Sequence, residues 1–336
     1  MDTHHRLILG DARRLDGVED ASVHVVVTSP PYPMIAMWDA AFGAMSPESA
    51  RALEAGKGMQ AFEAMHRTLD QVWAQLFRVM VPGGIACINI GDATRSLSGE
   101  FRLFHNHARI AQSVVDAGFT LLPDILWRKP TNAPNKFMGS GMLPCGAYVT
   151  YEHEYVLILR KGGKRLFEDR AARARSAYFW EERNRWFSDL WELKGARQGL
   201  ARGRARSAAF PLELPWRLIH MYSCYGDTVL DPFVGTGTTV VAAAMAGRHS
   251  IGVEVDPEVS ADLDALLAEA LRDGPARVRA RLEAHRVFVA ERQAAGKVLK
   301  HHNGPHDIPV VTGQEKTLEL WEPAGQGKGL MSHRRL

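Results

Sequence analysis

The chain has 336 residues, 46% apolar and 24% charged, which excludes a disordered or fibrous protein and leaves room for two ordinary domains or one large α/β domain with an insertion. Three scattered cysteines, Cys87, Cys145 and Cys224, exclude a disulfide framework and a cysteine zinc site and read as reduced, mostly buried thiols; without a leader-like N-terminus or a run of about 18 apolar residues, a cytoplasmic location is expected and no membrane contact. Net charge is only +3, yet residues 160–206 hold 14 Lys/Arg against six Asp/Glu, so a polyanionic partner and a plain solvated basic face are equal readings of that block.

In chain order, Arg6 to Leu9 predicts a short strand ending at Gly10-Asp11. The β-branched run Val23 to Val27 predicts a buried, parallel strand. It stops at Thr28-Ser29-Pro30-Pro31-Tyr32, because two prolines cannot continue a central strand. Residues 33–58, rich in Met, Ala and Gly, read as a loop or mobile flap. A stripe of Phe62, Met65, Leu69, Val72, Trp73, Leu76 and Phe77 predicts a helix over 59–80. Pro82-Gly83-Gly84 ends it, and a strand follows at 85–90. A helix over 108–117 stops at Gly118, with strands next at 121–127 and 155–159. This alternation predicts a doubly wound, mostly parallel α/β sheet.

The basic block interrupts the pattern. Aromatic residues are interleaved in it, and most of them, Trp186 and Trp191 included, are expected in the core of a small subdomain. The pattern resumes with Val229-Leu230, a Gly-rich turn, a small-residue helix to Ala246, a strand over 250–255 and a helical stretch over 257–295. From about His301 the chain is polar and Gly-rich and is expected to be disordered or loosely packed. His301, His302 and His306 read as part of that tail rather than as metal ligands.

Two segments carry chemistry. The first is Asp231-Pro232-Phe233-Val234-Gly235-Thr236-Gly237-Thr238-Thr239, directly after a strand. Glycines at a strand-to-helix turn let a ligand approach the backbone, and the helix N-terminus offers free N–H groups. One βα unit later, Glu254 can accept hydrogen bonds from two ribose hydroxyls; taken alone, it could equally cap the next helix. Together these describe a nucleoside pocket at the carboxyl edge of a sheet. The turn does not fit G-x-G-x-x-G and the chain contains no G-K-[ST], which disfavours NAD and ATP. The second segment is Ser29-Pro30-Pro31-Tyr32. Its prolines stiffen the backbone and remove N–H donors, leaving the Ser29 hydroxyl and nearby carbonyls as acceptors beside an aromatic ring. Such a site suits the amino group of a base turned out of its stack, although a proline turn with a core tyrosine is the plainer reading.

Taken together and in this order, the motifs resemble the β-type DNA amino-methyltransferases, which use S-adenosylmethionine. That family's [Ser/Asp/Asn]-Pro-Pro-[Tyr/Phe] tetrapeptide appears as Ser29-Pro30-Pro31-Tyr32, and its cofactor motif as Asp231 to Thr238. Gly10-Asp11, Leu126-Trp127-Arg128-Lys129, Tyr151-Glu152-His153-Glu154-Tyr155 and Phe210-Pro211 with Leu214 match as well, so the likeness spans residues 6–260. It implies a Rossmann-like methyltransferase fold with an inserted target-recognition region. Residues 1–164 would form the catalytic half, 165–206 the target-recognition insertion, 207–295 the cofactor-binding half and 296–336 a polar tail. S-adenosylmethionine would be held by Asp231, Pro232, Phe233, Gly235, Thr236, Gly237 and Thr238, with Phe233 near the sulfonium, Glu254 on the ribose and Asp11 by the adenine edge. Asp11 could instead cap the turn that follows it.

By the same resemblance, Ser29 Oγ and the Pro30 carbonyl would hold an exocyclic amine out of the ring plane, localising its lone pair. Tyr32 would clamp the base. Attack then needs mainly positioning, without a dedicated base or a metal. The implied partner is double-stranded DNA; a homodimer and a cognate restriction endonuclease are compatible. Serine at the head of the tetrapeptide points to cytosine N4, with adenine N6 as the alternative and an inactive DNA-binding homologue as a different class. Pro144-Cys145 lacks the surroundings that cytosine-C5 chemistry requires.

Overall fold

The computed structural model describes residues 1–129, 138–139, 143–149, 151–167, 169–195, 210–258 and 261–336. β1 (Asp2–Leu9) and β2 (Val23–Thr28) lead into α1 (Asp39–Met45), α2 (Pro47–Glu54) and the long α3 (Gly58–Val79). Next come β3 (Met80–Ile90), a hairpin of β4 (Ala93–Leu97) and β5 (Glu100–Phe104), α4 (Asn106–Asp116), β6 (Phe119–Arg128), the short pair β7 (Met138–Gly139) and β8 (Ala147–Tyr148), and β9 (His153–Lys161). The second half holds α5 (Arg170–Arg175), α6 (Trp180–Trp186), β10 (Leu190–Glu192), α7 (Glu213–Tyr222), β11 (Thr228–Asp231), α8 (Thr238–Met245), β12 (His249–Glu254) and α9 (Leu263–Ala294). It closes with β13 (His301–Asn303), β14 (Ile308–Val310), β15 (Trp321–Gly327) and β16 (Leu330–Arg335).

Ten strands form one sheet in the order β10-β6-β9-β3-β2-β11-β12-β1-β16-β15. Only β9 and β16 run against the other eight, so the sheet is mostly parallel and doubly wound, as the alternation predicts. Val25 and Val27 enter one apolar core with α7 and α8, while Val26 enters the other with α3 and α4. A strand covered on both faces explains the unbroken β-branched run. From β2 the chain crosses to β3 on one side, and from β11 to β12 on the other. The gap between the carboxyl ends of β2 and β11 is therefore the switch point of the sheet, where open α/β folds bind ligands.

Several expectations need correction. Residues 33–58 are not a loop but contain two helices. Ser46 caps α2 by accepting from the Ser49 N–H, with Pro47 in the first turn. Phe42 is fully buried, and Arg95 of β4 grips Asp39 through two bonds of 2.6 and 2.8 Å. Short helices of Ala and Met lack the long stripe that marked α3. Pro82-Gly83-Gly84 does not separate helix from strand but lies inside β3, where the register with β2 steps from Val23↔Met80 to Val25↔Ile85. A left-handed Gly83 (φ 78°) absorbs the step.

The C-terminal residues are ordered rather than loose. β16 pairs antiparallel with β1, and β15 extends the sheet beyond it. Val310, Leu318, Leu320 and Met331 are buried in the core, and Glu322 pairs with Arg279 of α9 and with Arg334 at 2.7 Å. Apolar residues spaced singly between polar ones hid these strands. Here His302 pairs with Asp307 at 2.8 Å, and the His306 ring accepts from the Leu320 N–H at 3.0 Å.

Of the basic block, β10 joins the sheet edge beside β6, and Phe179, Trp186 and Trp191 are buried; Phe179 and Trp191 pack in the main core with α7. For Phe179 and Trp191 the core is therefore the main one and not a separate small one. Arg197, Arg202, Arg204 and Arg206 lie outside the described residues. Of the thiols, Cys87 is buried, Cys224 half-buried and Cys145 exposed, so "mostly buried" does not hold. Among the described residues no helix is long and apolar enough to cross a membrane.

One buried network ties α3 and α4 to the proline turn. Asn106 donates to the carbonyls of Pro33 and Gly91 at 3.1 and 3.0 Å, so its Oδ1 must accept from His66 Nε2–H at 3.0 Å. His66 Nδ1 is then the unprotonated nitrogen, buried without a partner among the described residues. Burial, chiefly, pushes the His66 pKa down to about 4. A histidine whose folded pKa is depressed contributes stability that is complete above its unfolded pKa of about 6.5 and is lost as pH falls toward 4. Unfolding free energy of the wild type is accordingly expected to drop over that window. His66→Gln, which keeps a donor for Asn106, should flatten the drop when denaturant melts are compared at pH 7 and pH 4.5.

Candidate functional site

Both chemical motifs sit at the carboxyl ends of neighbouring strands. The buried Asp231 carboxylate, last in β11, accepts from Thr28 Oγ1 of β2 and from Thr239 Oγ1 of α8, each at 2.7 Å, and from the Phe233 N–H at 3.1 Å. Burial pushes its pKa up to about 6, against the pull of those donors. Ser29 follows Thr28 directly, so the proline turn and the Gly-rich turn are held side by side.

The Gly-rich turn closes through Gly237 N–H to the Val234 carbonyl at 2.8 Å, with Gly235 and Gly237 both left-handed (φ 51° and 86°). A Cβ on Gly235 would meet only the Phe233 carbonyl oxygen, at 3.8 Å, whereas one on Gly237 would sit 2.3 Å from Leu266 Cδ1. Gly235 therefore borders open space, and Gly237 is locked against α9. Gly237→Ala is expected to lower unfolding free energy by about 1–3 kcal/mol, from left-handed strain and from the displaced leucine; a denaturant midpoint equal to wild type would refute this.

Glu254 ends β12 beside Leu9 of β1. Its Oε2 accepts from the Gly235 N–H at 3.1 Å, and its Oε1 from the Val255 and Asp256 N–H groups at 3.0 Å each. The carboxylate is fixed at the sheet edge, next to the open face of the turn. A half-buried acidic group, a glycine that leaves space and a helix N-terminus form a donor and acceptor set that fits a nucleoside. Asp11 lies on the same edge, because the Gly10 N–H bonds to the Glu254 carbonyl at 2.8 Å. Its own carboxylate accepts from the Arg13 backbone at 2.8 Å and from the Arg13 guanidinium at 2.6–3.1 Å, which holds its pKa below the usual range. Asp11 thus caps the turn after β1. Pro232 is buried, Phe233 and Thr238 are half-buried, and Thr236 is exposed on the turn.

Around Ser29 the structure adds residues to which the sequence reading gave no role. Ser29 Oγ donates to Tyr32 OH at 3.1 Å, and Tyr32 OH donates to Glu154 Oε2 at 2.9 Å. Asn89 of β3 donates to Tyr32 OH at 2.8 Å and to Glu154 Oε2 at 2.7 Å. Lys129, just past β6, pairs with Glu154 Oε1. Tyr32 is almost wholly buried, and burial together with the Glu154 charge holds its hydroxyl protonated. Lys129 and Glu154 stand in the two stretches that carried the family resemblance; the detectable signal was a charged residue at each strand end. Thr28, Asn89 and Thr239 gave no such signal, being small polar residues in buried elements.

Asp92, just beyond β3, brings an oxygen within 4.8 Å of ligand atoms on His105 and His107. Its carboxylate is already taken by both histidines, by Tyr151 OH at 3.0 Å and by the His107 N–H at 3.0 Å, which accounts for the cluster without an ion.

The sequence profile of a family described as DNA methylase (N6_N4_Mtase) matches residues 23–263. The chain is 45% identical over 330 residues to Type II methyltransferase M.MthZI of Methanothermobacter thermautotrophicus, covering 96% of this chain and 92% of that protein. It is 53% identical over 266 residues to Type II methyltransferase M.MjaI of Methanocaldococcus jannaschii, covering 76% and 88%. Among solved structures it superimposes on TTHA0409 of Thermus thermophilus in complex with S-adenosyl-L-methionine, with TM-score 0.62, 35% identity and coverage of 81% and 95%. The cytosine-N4-specific PvuII DNA methyltransferase shares the fold at TM-score 0.52 and 18% identity, covering 81% and 93%.

Proposed function

The chain belongs to the N4/N6 DNA methylase family as an S-adenosylmethionine-dependent DNA amino-methyltransferase of the β type, and from that premise we propose that its target is the exocyclic N4 of cytosine in duplex DNA, presented by base flipping. The observation that carries this reading is the adjacency of the Ser29 turn and the Gly235 turn, joined through Thr28 and Asp231. Serine at the head of the tetrapeptide supports cytosine over adenine.

In this reading Ser29 Oγ and the Pro30 carbonyl accept from the amine N–H groups and turn its lone pair out of the ring plane. Tyr32 packs against the base, and the stiff Pro30-Pro31 backbone keeps the acceptors fixed. The cofactor supplies an electrophilic methyl group. Glu254 takes its ribose hydroxyls, the Gly235–Gly237 turn with Asp231, Pro232, Thr236 and Thr238 borders its methionine end, Phe233 lies near the sulfonium, and Asp11 lies towards the adenine. Residues 165–206 read the target between catalytic and cofactor halves at 1–164 and 207–295, with their arginines on phosphates and guanine edges. A homodimer and a cognate restriction endonuclease complete the reading.

DNA methylated with labelled S-adenosylmethionine and digested to nucleosides tests it. N4-methyldeoxycytidine is the expected product. N6-methyldeoxyadenosine would move the target to adenine, and no labelled nucleoside from any duplex would end the reading.

A further inference from the structure

The geometry points to a proton relay that runs from Ser29 through Tyr32 to Glu154 and carries away the proton released by methyl transfer. It rests on the amine-holding role of Ser29 given above.

The direction of each hydrogen bond follows from the partners. The Asn89 amide nitrogen can only donate, and it donates to both Tyr32 OH and Glu154 Oε2. Glu154 pairs with Lys129, so as a carboxylate it can only accept, and the Tyr32 proton must lie towards it. The Ser29 hydroxyl proton in turn lies on Tyr32 OH. Beside the long 3.5 Å contact from Asn89 Nδ2, Ser29 Oγ then keeps a lone pair to face an incoming N–H. Glu154 thereby sets Ser29 as an acceptor, which is what holding an amine requires. Charged and titratable groups facing the Glu154 carboxylate are Lys129 from the end of β6 and Tyr32 from the turn after β2; Asn89 of β3 is the neutral third. Lys129 also lies 4.2 Å from the centre of the Trp127 ring, which fixes it from the other side.

The step balances as follows. The amine nitrogen forms a bond to the methyl carbon, and the carbon–sulfur bond of the sulfonium breaks with its electron pair left on sulfur. The positively charged nitrogen then loses one proton to Ser29 Oγ as the serine proton passes to Tyr32 and the tyrosine proton to Glu154 Oε2. One proton ends on Glu154, whose side chain is 14% exposed and can return it to water. Glu154 and Tyr32 act here through Ser29 and position it as they relay.

Single-turnover methyl transfer, measured in the full-length enzyme with duplex DNA, tests the relay. Glu154→Gln should be slower than wild type on the order of 10²-fold, the usual worth of a positioned proton acceptor. Tyr32→Phe, which keeps the ring but breaks the chain, should match it, and the double variant should be no slower than either single one. Glu154→Asp should recover part of the rate. Glu154→Gln and Tyr32→Phe both within threefold of wild type, or losses that multiply in the double variant, would overturn the relay. If Glu154→Gln fails to fold, Tyr32→Phe alone decides. Ser29→Ala separates the two ideas: a Ser29→Ala enzyme with wild-type turnover removes the amine-holding role itself, whereas an impaired Ser29→Ala beside an unimpaired Glu154→Gln removes only the relay.

Discussion

Ser29→Ala is expected to slow methyl transfer per bound complex on the order of 10²-fold, the size of effect that misplacing a reacting group by about an ångström produces, with cofactor affinity unchanged. The separation follows from the geometry. Ser29 Oγ bonds to Tyr32 and lies 3.5 Å from Asn89, all on the tetrapeptide side. The link to the Gly-rich turn runs through Thr28 and Asp231 instead. Rapid-quench transfer of labelled methyl groups, with calorimetric titration of S-adenosylmethionine, reads the two quantities apart. Weakened cofactor binding with transfer per bound complex intact would contradict the assignment of Ser29.

Glu254→Ala should do the reverse. Its carboxylate is preset by three backbone N–H groups, so in the proposed role it would meet the ribose hydroxyls without reorganising. Hydrogen bonds to a charged group contribute about 1.5–3 kcal/mol each. Losing two of them predicts cofactor affinity lower by about 3 kcal/mol or more, a hundredfold or greater rise in Kd. The Gly235 turn also loses its anchor, so a small fall in stability accompanies it. Glu254→Gln keeps an acceptor for one N–H and should fall between. Transfer at saturating cofactor is expected to stay near wild type. A Kd unchanged in Glu254→Ala would exclude this carboxylate from the cofactor site.

Periodicity and punctuation made much of this protein readable in one dimension. The β-branched run before Ser29, the stripe of α3 and the Gly-rich turn after β11 each signal themselves within one short stretch of chain. For that reason the doubly wound sheet and the pairing of the two motifs with one family were legible in the amino-acid order. The helices over 39–54 and the strands after residue 300 were not. Their apolar residues are few and singly spaced, and only contacts such as Arg95 with Asp39, or β16 with β1, order them.

The amino-acid order by itself determined the chemistry on offer: a proline-stiffened acceptor turn, a glycine turn and a strand-end glutamate. Tertiary structure alone decided that Val229 pairs with Val25, so that turns some 200 residues apart share one edge of the sheet. It also decided that Asn89 and Glu154 meet at the Tyr32 hydroxyl, with Lys129 on the far oxygen of Glu154, although the three come from different strand ends. The reason is physical. Strand order and register are set by the burial of two apolar faces across the whole chain, and a polar residue acquires its partners only once that burial has chosen its neighbours.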